Sequence, residues 1–255
     1  MAGYSIADKD FKDNELRETY QNVKSRLNFT ADDLDGIFEI VLAHRDRFPA
    51  INLKGDCTLY SYIERWVKSY KNAIKNIPSC RNAKPKSSCV DPSIGMIVKT
   101  ICGLSDNDIE EGIKYHNLFM SAENIHGELL EEYIAFKIKP FGFIWCRGNA
   151  MAAIDFCNSN GTFSFQVKNR ENTENSSSNK IRKESTIFIE RWYRLGTKSE
   201  KNKKVAVYKW DTLNKLINDH KTIGYGMSPC HMTEADYQNF LHKTASENHL
   251  LITNQ

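Results

Sequence analysis

The chain has 255 residues, enough for one sizeable core or a core with a small annex, and 40% of them are hydrophobic. It holds no run of about 18 apolar residues, and its first ten, MAGYSIADKD, contain no apolar stretch, so neither a membrane span nor a secretion signal is expected; the cytoplasm is the expected location. The net charge of +3 hides an asymmetry: residues 166–209 carry 12 Lys or Arg against 5 Asp or Glu, and the remainder 23 against 27, which concentrates positive charge where a polyanion would bind.

In chain order, helices come first. The apolar spacing predicts one over Asp13 to Leu27, a second capped near Thr30 and carrying Ile37, Ile40, Val41 and Leu42, and a third over Tyr60 to Ile74, stopped by Pro78. Trp66 and Tyr70, four apart on the third, read as core. Residues Ser79 to Ser93, rich in Lys, Pro and Ser, read as a linker or exposed loop. Another helix is expected from Ser105, whose hydroxyl can cap the amide of Asp108. A further one runs from Ser121 to Ile138, with Ile125, Leu129, Leu130, Tyr133, Ile134 and Phe136 as its apolar arc. The pattern then changes to short aromatic and β-favouring segments: Phe141 to Cys146, Met151 to Phe156, Thr162 to Val167, Thr186 to Tyr193 and Val205 to Trp210. Helices over Thr212 to His220 and Thr233 to Ser246 close the chain. The order predicts an α/β or α+β domain, a central mixed sheet flanked by helices. Seven cysteines, an odd and scattered set, fit free thiols in a reducing compartment.

One hairpin carries a pattern suited to phosphodiester hydrolysis, which needs a hard cation held by oxygen ligands and a nearby cationic group. Asp155 lies near the end of one strand. Beyond a turn at Asn158 to Gly161, Gln166 and Lys168 share a face of the next strand, with Val167 pointing the other way. Such a hairpin can gather the Asp155 carboxylate, the Gln166 amide oxygen and the backbone carbonyl of Val167 around one ion.

This Asp…Gln-x-Lys arrangement resembles the PD-(D/E)xK nuclease superfamily, with glutamine where a second acid is usual. Gly127-Glu128-Leu129-Leu130-Glu131 is similar to a G-x-L-L-E segment of the superfamily's mismatch-repair nicking branch, which implies that Glu131 supplies a helix-borne acid, Glu123 being the second choice. The glycine would let that helix approach sheet or DNA closely. The stretch QVKNRENTENSSSNKIR from Gln166, together with AENIHGELLEEYI and Arg191-Trp192-Tyr193-Arg194, resembles the SinI-type restriction endonucleases, a type II family reading GGWCC; the resemblance covers Ser121 to Arg194.

The resemblance implies a PD-(D/E)xK-type restriction endonuclease fold; the element order divides the chain into an N-terminal helical region over 1–78, a linker and short helix over 79–104 and a nuclease core over 105–255, expected to form one compact unit overall. It implies Glu131, Asp155, Gln166 and Lys168 as catalytic group, and Mg²⁺ held by Asp155, Glu131, Gln166 and the Val167 carbonyl. Asn169, Arg170, Asn172, Asn175, Ser176, Ser177, Ser178, Arg182, Arg191 and Arg194 are the expected contacts to double-stranded DNA, since Asn, Ser and Arg carry the donors and acceptors that bases and phosphates require. A near-palindromic site implies a homodimer, functionally paired with a DNA methyltransferase. Another nuclease of the superfamily, such as a nicking repair enzyme or junction resolvase, and a non-catalytic DNA-binding protein with a decayed site are the alternatives.

Overall fold

The computed structural model describes residues 3–7, 9–53, 55–83, 91–170, 186–200 and 203–252. The chain forms two compact units: residues 1–76 with 133–236, and residues 77–132 with 237–255. The N-terminal helices thus share a compact unit with the sheet. Their apolar faces pack against one another and against one face of the sheet.

In the first unit α1 (Asp13–Arg26), α2 (Asp32–Ala43) and α3 (Leu59–Lys75) follow the spacing of their apolar residues. A capping box starts α3: the Thr58 hydroxyl accepts from the Ser61 amide, and the Ser61 hydroxyl accepts from the Thr58 amide. The sheet has five strands in sequential order: β1 (Phe143–Trp145), β2 (Phe156–Asn158), β3 (Ser164–Arg170), β4 (Ile189–Glu200) and β5 (Lys203–Tyr208). β3 and β4 are parallel and the other neighbours antiparallel, so the sheet is mixed, as expected.

Pairing register sorts the side chains. Ile144, Cys157, Ser164 and Ile189 are successive cross-strand partners and share one face, where Ile144, Cys157 and Ile189 join Leu16, Tyr20, Phe38, Trp66 and Val67 from the helices in a single core. On the opposite face Phe156 stacks on Phe165 at 5.0 Å between ring centres, and Trp192 meets Trp210 at 5.2 Å. Trp210 opens α6 (Trp210–His220), whose buried Leu213 and Ile217 continue that layer.

Three strand expectations shift. Met151 to Ile154 is a turn, and strand pairing begins only at Phe156; Met151 and Ile154 are buried here in the core shared with the helices, and Ala152 and Ala153 between them are half-buried. The first strand is confined to Phe143–Trp145. β4 extends beyond Tyr193 to Glu200, and its pairing with β5 takes in Lys198 and Lys203 of the basic run as exposed strand ends.

The second unit contains α4 (Pro92–Cys102) and the greater part of α5 (Asp106–Ile138), which ends in the first unit; α7 (Glu234–Glu247) likewise begins in the first unit and continues in the second. α4 lies partly where a linker was expected. Its Asp91 side chain accepts from the Ser93 amide, Pro92 occupies the first turn, and Gly103 ends it with φ 67°. α5 is one helix of 33 residues, not the two that Ser105 and Ser121 suggested. Ser105 does accept from the Asp108 amide, at 3.3 Å, but Ser121 lies within the helix, where a lone serine does not break a favourable run. Phe136 departs from the expected apolar arc and is 79% exposed.

Candidate active site

The turn before β2 is tied to the N-terminal helices. The Trp66 indole N–H donates to the Ala150 carbonyl at 3.0 Å and the Ser69 hydroxyl to the Gly148 carbonyl at 2.7 Å. The Ala152 amide donates to the Arg47 carbonyl at 2.9 Å, and the Arg47 guanidinium donates to the Ala152 carbonyl at 3.3 Å. Ala153 within this turn has φ 60°, a left-handed conformation that residues with a side chain seldom adopt. These constraints deliver the chain to Asp155 at a fixed place beside β3.

Asp155 then brackets Gln166. Its amide donates to the Phe165 carbonyl at 3.1 Å, and its carboxylate oxygen Oδ2 accepts from the Val167 amide at 2.7 Å. The carbonyl of a strand residue leaves the strand on the same edge as its amide, so the Val167 carbonyl is directed to the Asp155 side. Between them Gln166 is 5% exposed, and its Oε1 has no hydrogen-bond partner among the described residues. Leaving such an acceptor unsatisfied costs about 1–3 kcal/mol, a cost that a ligand removes.

The parallel register of β3 and β4 completes a polar row on the sheet face that the N-terminal helices cover further along. Arg191 lies beside Gln166, and Tyr193 beside Lys168. The Arg191 guanidinium sits 4.9 Å from the centre of the Tyr193 ring. Lys168 is half-buried. Burial pushes the Asp155 carboxyl above its ordinary pKa; the Val167 hydrogen bond and the Lys168 charge act in the other direction without cancelling it. A cation placed against this carboxylate is therefore favoured by relief of an electrostatic penalty.

Among the described residues no three His, Cys, Asp or Glu side chains gather into a metal site. The donor set at the hairpin is of another kind: one carboxylate, one neutral amide oxygen and a backbone carbonyl, all hard oxygen ligands that suit Mg²⁺ when phosphate and water complete its shell.

Other expected residues are placed as follows. Glu131 lies half-buried on α5 in the second unit, and Glu123 is exposed on the same helix. Of the neighbouring glutamates, Glu132 accepts from the Ser79 amide at 2.8 Å and Glu128 pairs with Arg81. A Cβ at Gly127 would meet open space, so the glycine does not serve close packing of the helix against the chain. Gly127→Ala is accordingly expected to raise stability by about 0.5–1 kcal/mol, read as a higher unfolding midpoint with cleavage retained. Lost cleavage in that variant would place the glycine against DNA instead.

Arg170 is exposed at the end of β3. Asn169 and Arg194 have partners on the opposite face: the Arg194 Nε–H donates to the Asn169 side-chain oxygen at 2.9 Å, and its guanidinium pairs with Glu234 at 2.6 Å, leaving Arg194 only 6% exposed. Asn172, Asn175, Ser176, Ser177, Ser178 and Arg182 lie outside the described residues.

Residue Thr186, just beyond that stretch, reveals a contact that residue patterns alone could not mark. Its amide and hydroxyl donate to the two oxygens of Asp46, at 3.0 and 2.6 Å. Burial alone would raise the Asp46 pKa, but the bonds from Thr186 and Arg47 outweigh it and hold the carboxyl below its ordinary value. The entry to β4 is thereby fastened to a residue 140 positions earlier.

Comparison with known proteins gives a consistent picture. A family model described as SinI restriction endonuclease matches residues 40–228, a longer span than the motifs alone suggested. The chain is 31% identical over 190 residues to the type II restriction enzyme Eco47I of Escherichia coli, covering 70% of this chain and 80% of that one. It is 28% identical over 182 residues to the type II restriction enzyme SinI of Salmonella infantis, covering 67% and 76%.

Proposed function

Because the chain belongs to the SinI restriction endonuclease family and is a type II restriction endonuclease, we propose that it cuts double-stranded DNA at GGWCC or a close relative with Mg²⁺ held at the β2–β3 hairpin. The observation that carries the site assignment is the orphaned Gln166 oxygen, bracketed by the bond Asp155 donates to Phe165 and the bond it accepts from Val167. The mixed sheet flanked by helices accords with a PD-(D/E)xK-type fold.

Asp155, Gln166 and the Val167 carbonyl would hold the cation, and Glu131 is the proposed helix-borne acid. When bound, Mg²⁺ supplies an acidified water and charge neutralisation at the scissile phosphate. The protein's own contribution is placement. Val167 holds Asp155 Oδ2 in the plane of the sheet, so the other oxygen is left to face a ligand. Lys168, one alternation further along β3, puts an ammonium group where it can orient the attacking water or meet the negative charge that grows on the phosphorus oxygens. Glutamine in place of an acid removes one negative charge from the site, which weakens metal binding until the phosphate contributes its own charge.

Arg191 beside Gln166 and Arg170 at the strand end are the proposed phosphate grips, and Asn172, Asn175, Ser176, Ser177, Ser178 and Arg182 the proposed groove contacts. Asn169 and Arg194 brace β3 and β4 from the other face. A near-palindromic site is served by a homodimer with one catalytic hairpin per strand, and host DNA would be protected by a cytoplasmic methyltransferase of the same specificity.

The test is digestion of mapped DNA in Mg²⁺ with sequencing of fragment ends, which should yield discrete double-strand fragments ending at GGWCC. Gln166→Leu should raise the Mg²⁺ needed for half-maximal rate roughly tenfold, about 1.4 kcal/mol, while Gln166→Glu lowers it. A leucine variant with an unchanged Mg²⁺ dependence would remove Gln166 from the metal site.

A further inference from the structure

The apolar side chains of the second unit are arranged contrary to the needs of a lone helical hairpin. α4 and α5 are joined by a three-residue connection and pack through Gly95 and Ile109, where a Cβ on the glycine would lie 3.1 Å from the Ile109 methyl. Lys99 and Asp106 pair across the turn at 2.5 Å. Yet every residue of α4 is exposed or half-exposed, including Ile97 at 57% and Ile101 at 78%. On α5, Tyr115 and Phe119 are 59% and 68% exposed.

These residues form stripes. Ile94, Ile97 and Ile101 follow the helical repeat on α4, as do Tyr115 and Phe119 on α5. Counting about 100° per residue from the Gly95–Ile109 contact sets both stripes on one side of the antiparallel pair. The exposed parts of Ile94, Ile97, Ile101, Tyr115 and Phe119 come to on the order of 600–700 Å², most of one partner's share of a stable interface and at the upper end of what a monomer ordinarily leaves in water.

Charge excludes one class of partner. Residues 91–123 carry six Asp or Glu and two Lys, so this surface repels a phosphate backbone and DNA is not its occupant. A two-helix layer with one apolar side is completed by a second identical layer, giving a four-helix bundle around a two-fold axis.

We propose that the apolar side of the α4–α5 hairpin is the homodimer interface, pairing with the same surface of a second copy of this chain. The inference rests on the proposed dimer and names the residues that make it.

Sedimentation velocity of the full chain at micromolar concentration tests it. The wild type should sediment at twice the 29.4 kDa chain mass, and Ile101→Glu and Phe119→Glu at the mass of one chain, with unchanged helical circular dichroism. Tyr225→Glu, at a position 71% exposed in the other unit, should remain dimeric. A monomeric wild type, or stripe variants that remain dimeric, would overturn the proposal. The readout is independent of cleavage: a dimer split by Ile101→Glu in a protein that cuts no DNA would uphold the interface and reject the catalytic reading, whereas active wild type with a dimer indifferent to both variants would do the reverse.

Discussion

Asp155→Asn is expected to lower the cleavage rate by at least about a thousandfold while leaving the folded protein as stable as the wild type or more so. The loss follows from the proposed role: an amide offers the metal no charge, and several kcal/mol of transition-state stabilisation go with it at about 1.4 kcal/mol per decade of rate. The gain follows from the burial that raises this carboxyl's pKa. A folded-state pKa above the unfolded value means that the folded protein binds the extra proton between the two. Stability therefore falls as pH rises through that window, and the penalty is complete above the folded-state pKa. Asparagine keeps an oxygen for the Val167 amide and removes the charge. Mg²⁺ should raise the wild-type unfolding midpoint and leave that of Asp155→Asn unmoved, because a ligand stabilises only the state that binds it. A variant that cuts at the normal rate, or whose midpoint still rises with Mg²⁺, would move the metal site elsewhere.

Helices α1 to α3 and the identity of the hairpin residues are legible in the sequence because local rules act on them: apolar spacing, the turn at Asn158 to Gly161, and alternation along β3. The rest of the site is not, for three distinct physical reasons. The apolar run Met151 to Ile154 is compatible with strand or buried turn, and the choice is made by hydrogen bonds from Arg47, Trp66 and Ser69, more than 75 positions away in the chain. The parallel pairing of β3 with β4, which sets Arg191 beside Gln166 and turns Arg194 to the other face, is a property of the whole sheet, and a shift of one residue would exchange the two arginines. The single helix α5 depends on the lack of a strong breaker at Ser121, while a serine after an apolar residue also reads as a cap. The start of α4 lies in the stretch Ser79 to Ser93, whose Pro and Ser content reads as a linker; Pro92 is at a helix start, where its missing amide hydrogen is not needed.

Trp66→Ala should cost about 3–5 kcal/mol of stability, the range for an aromatic removed from a closed core and a large part of the 5–15 kcal/mol by which such domains are stable. Trp66 is 1% exposed, and its ring lies 5.9 Å from those of Tyr20 and Phe48 and 6.2 Å from that of Phe38. Its second role is polar, since the indole N–H holds the Ala150 carbonyl five residues before Asp155. Trp66→Phe separates the two roles: most of the apolar ring remains, while the hydrogen bond goes at about 1 kcal/mol. Urea unfolding should rank wild type, Trp66→Phe and Trp66→Ala in that order. At a temperature where all of the Trp66→Phe protein is folded, its maximal cleavage rate should still be reduced, because the turn that positions Asp155 has lost a tether while the site residues are intact. Should the phenylalanine variant cut DNA at the full rate, the N-terminal helices would be cover for the sheet and nothing more.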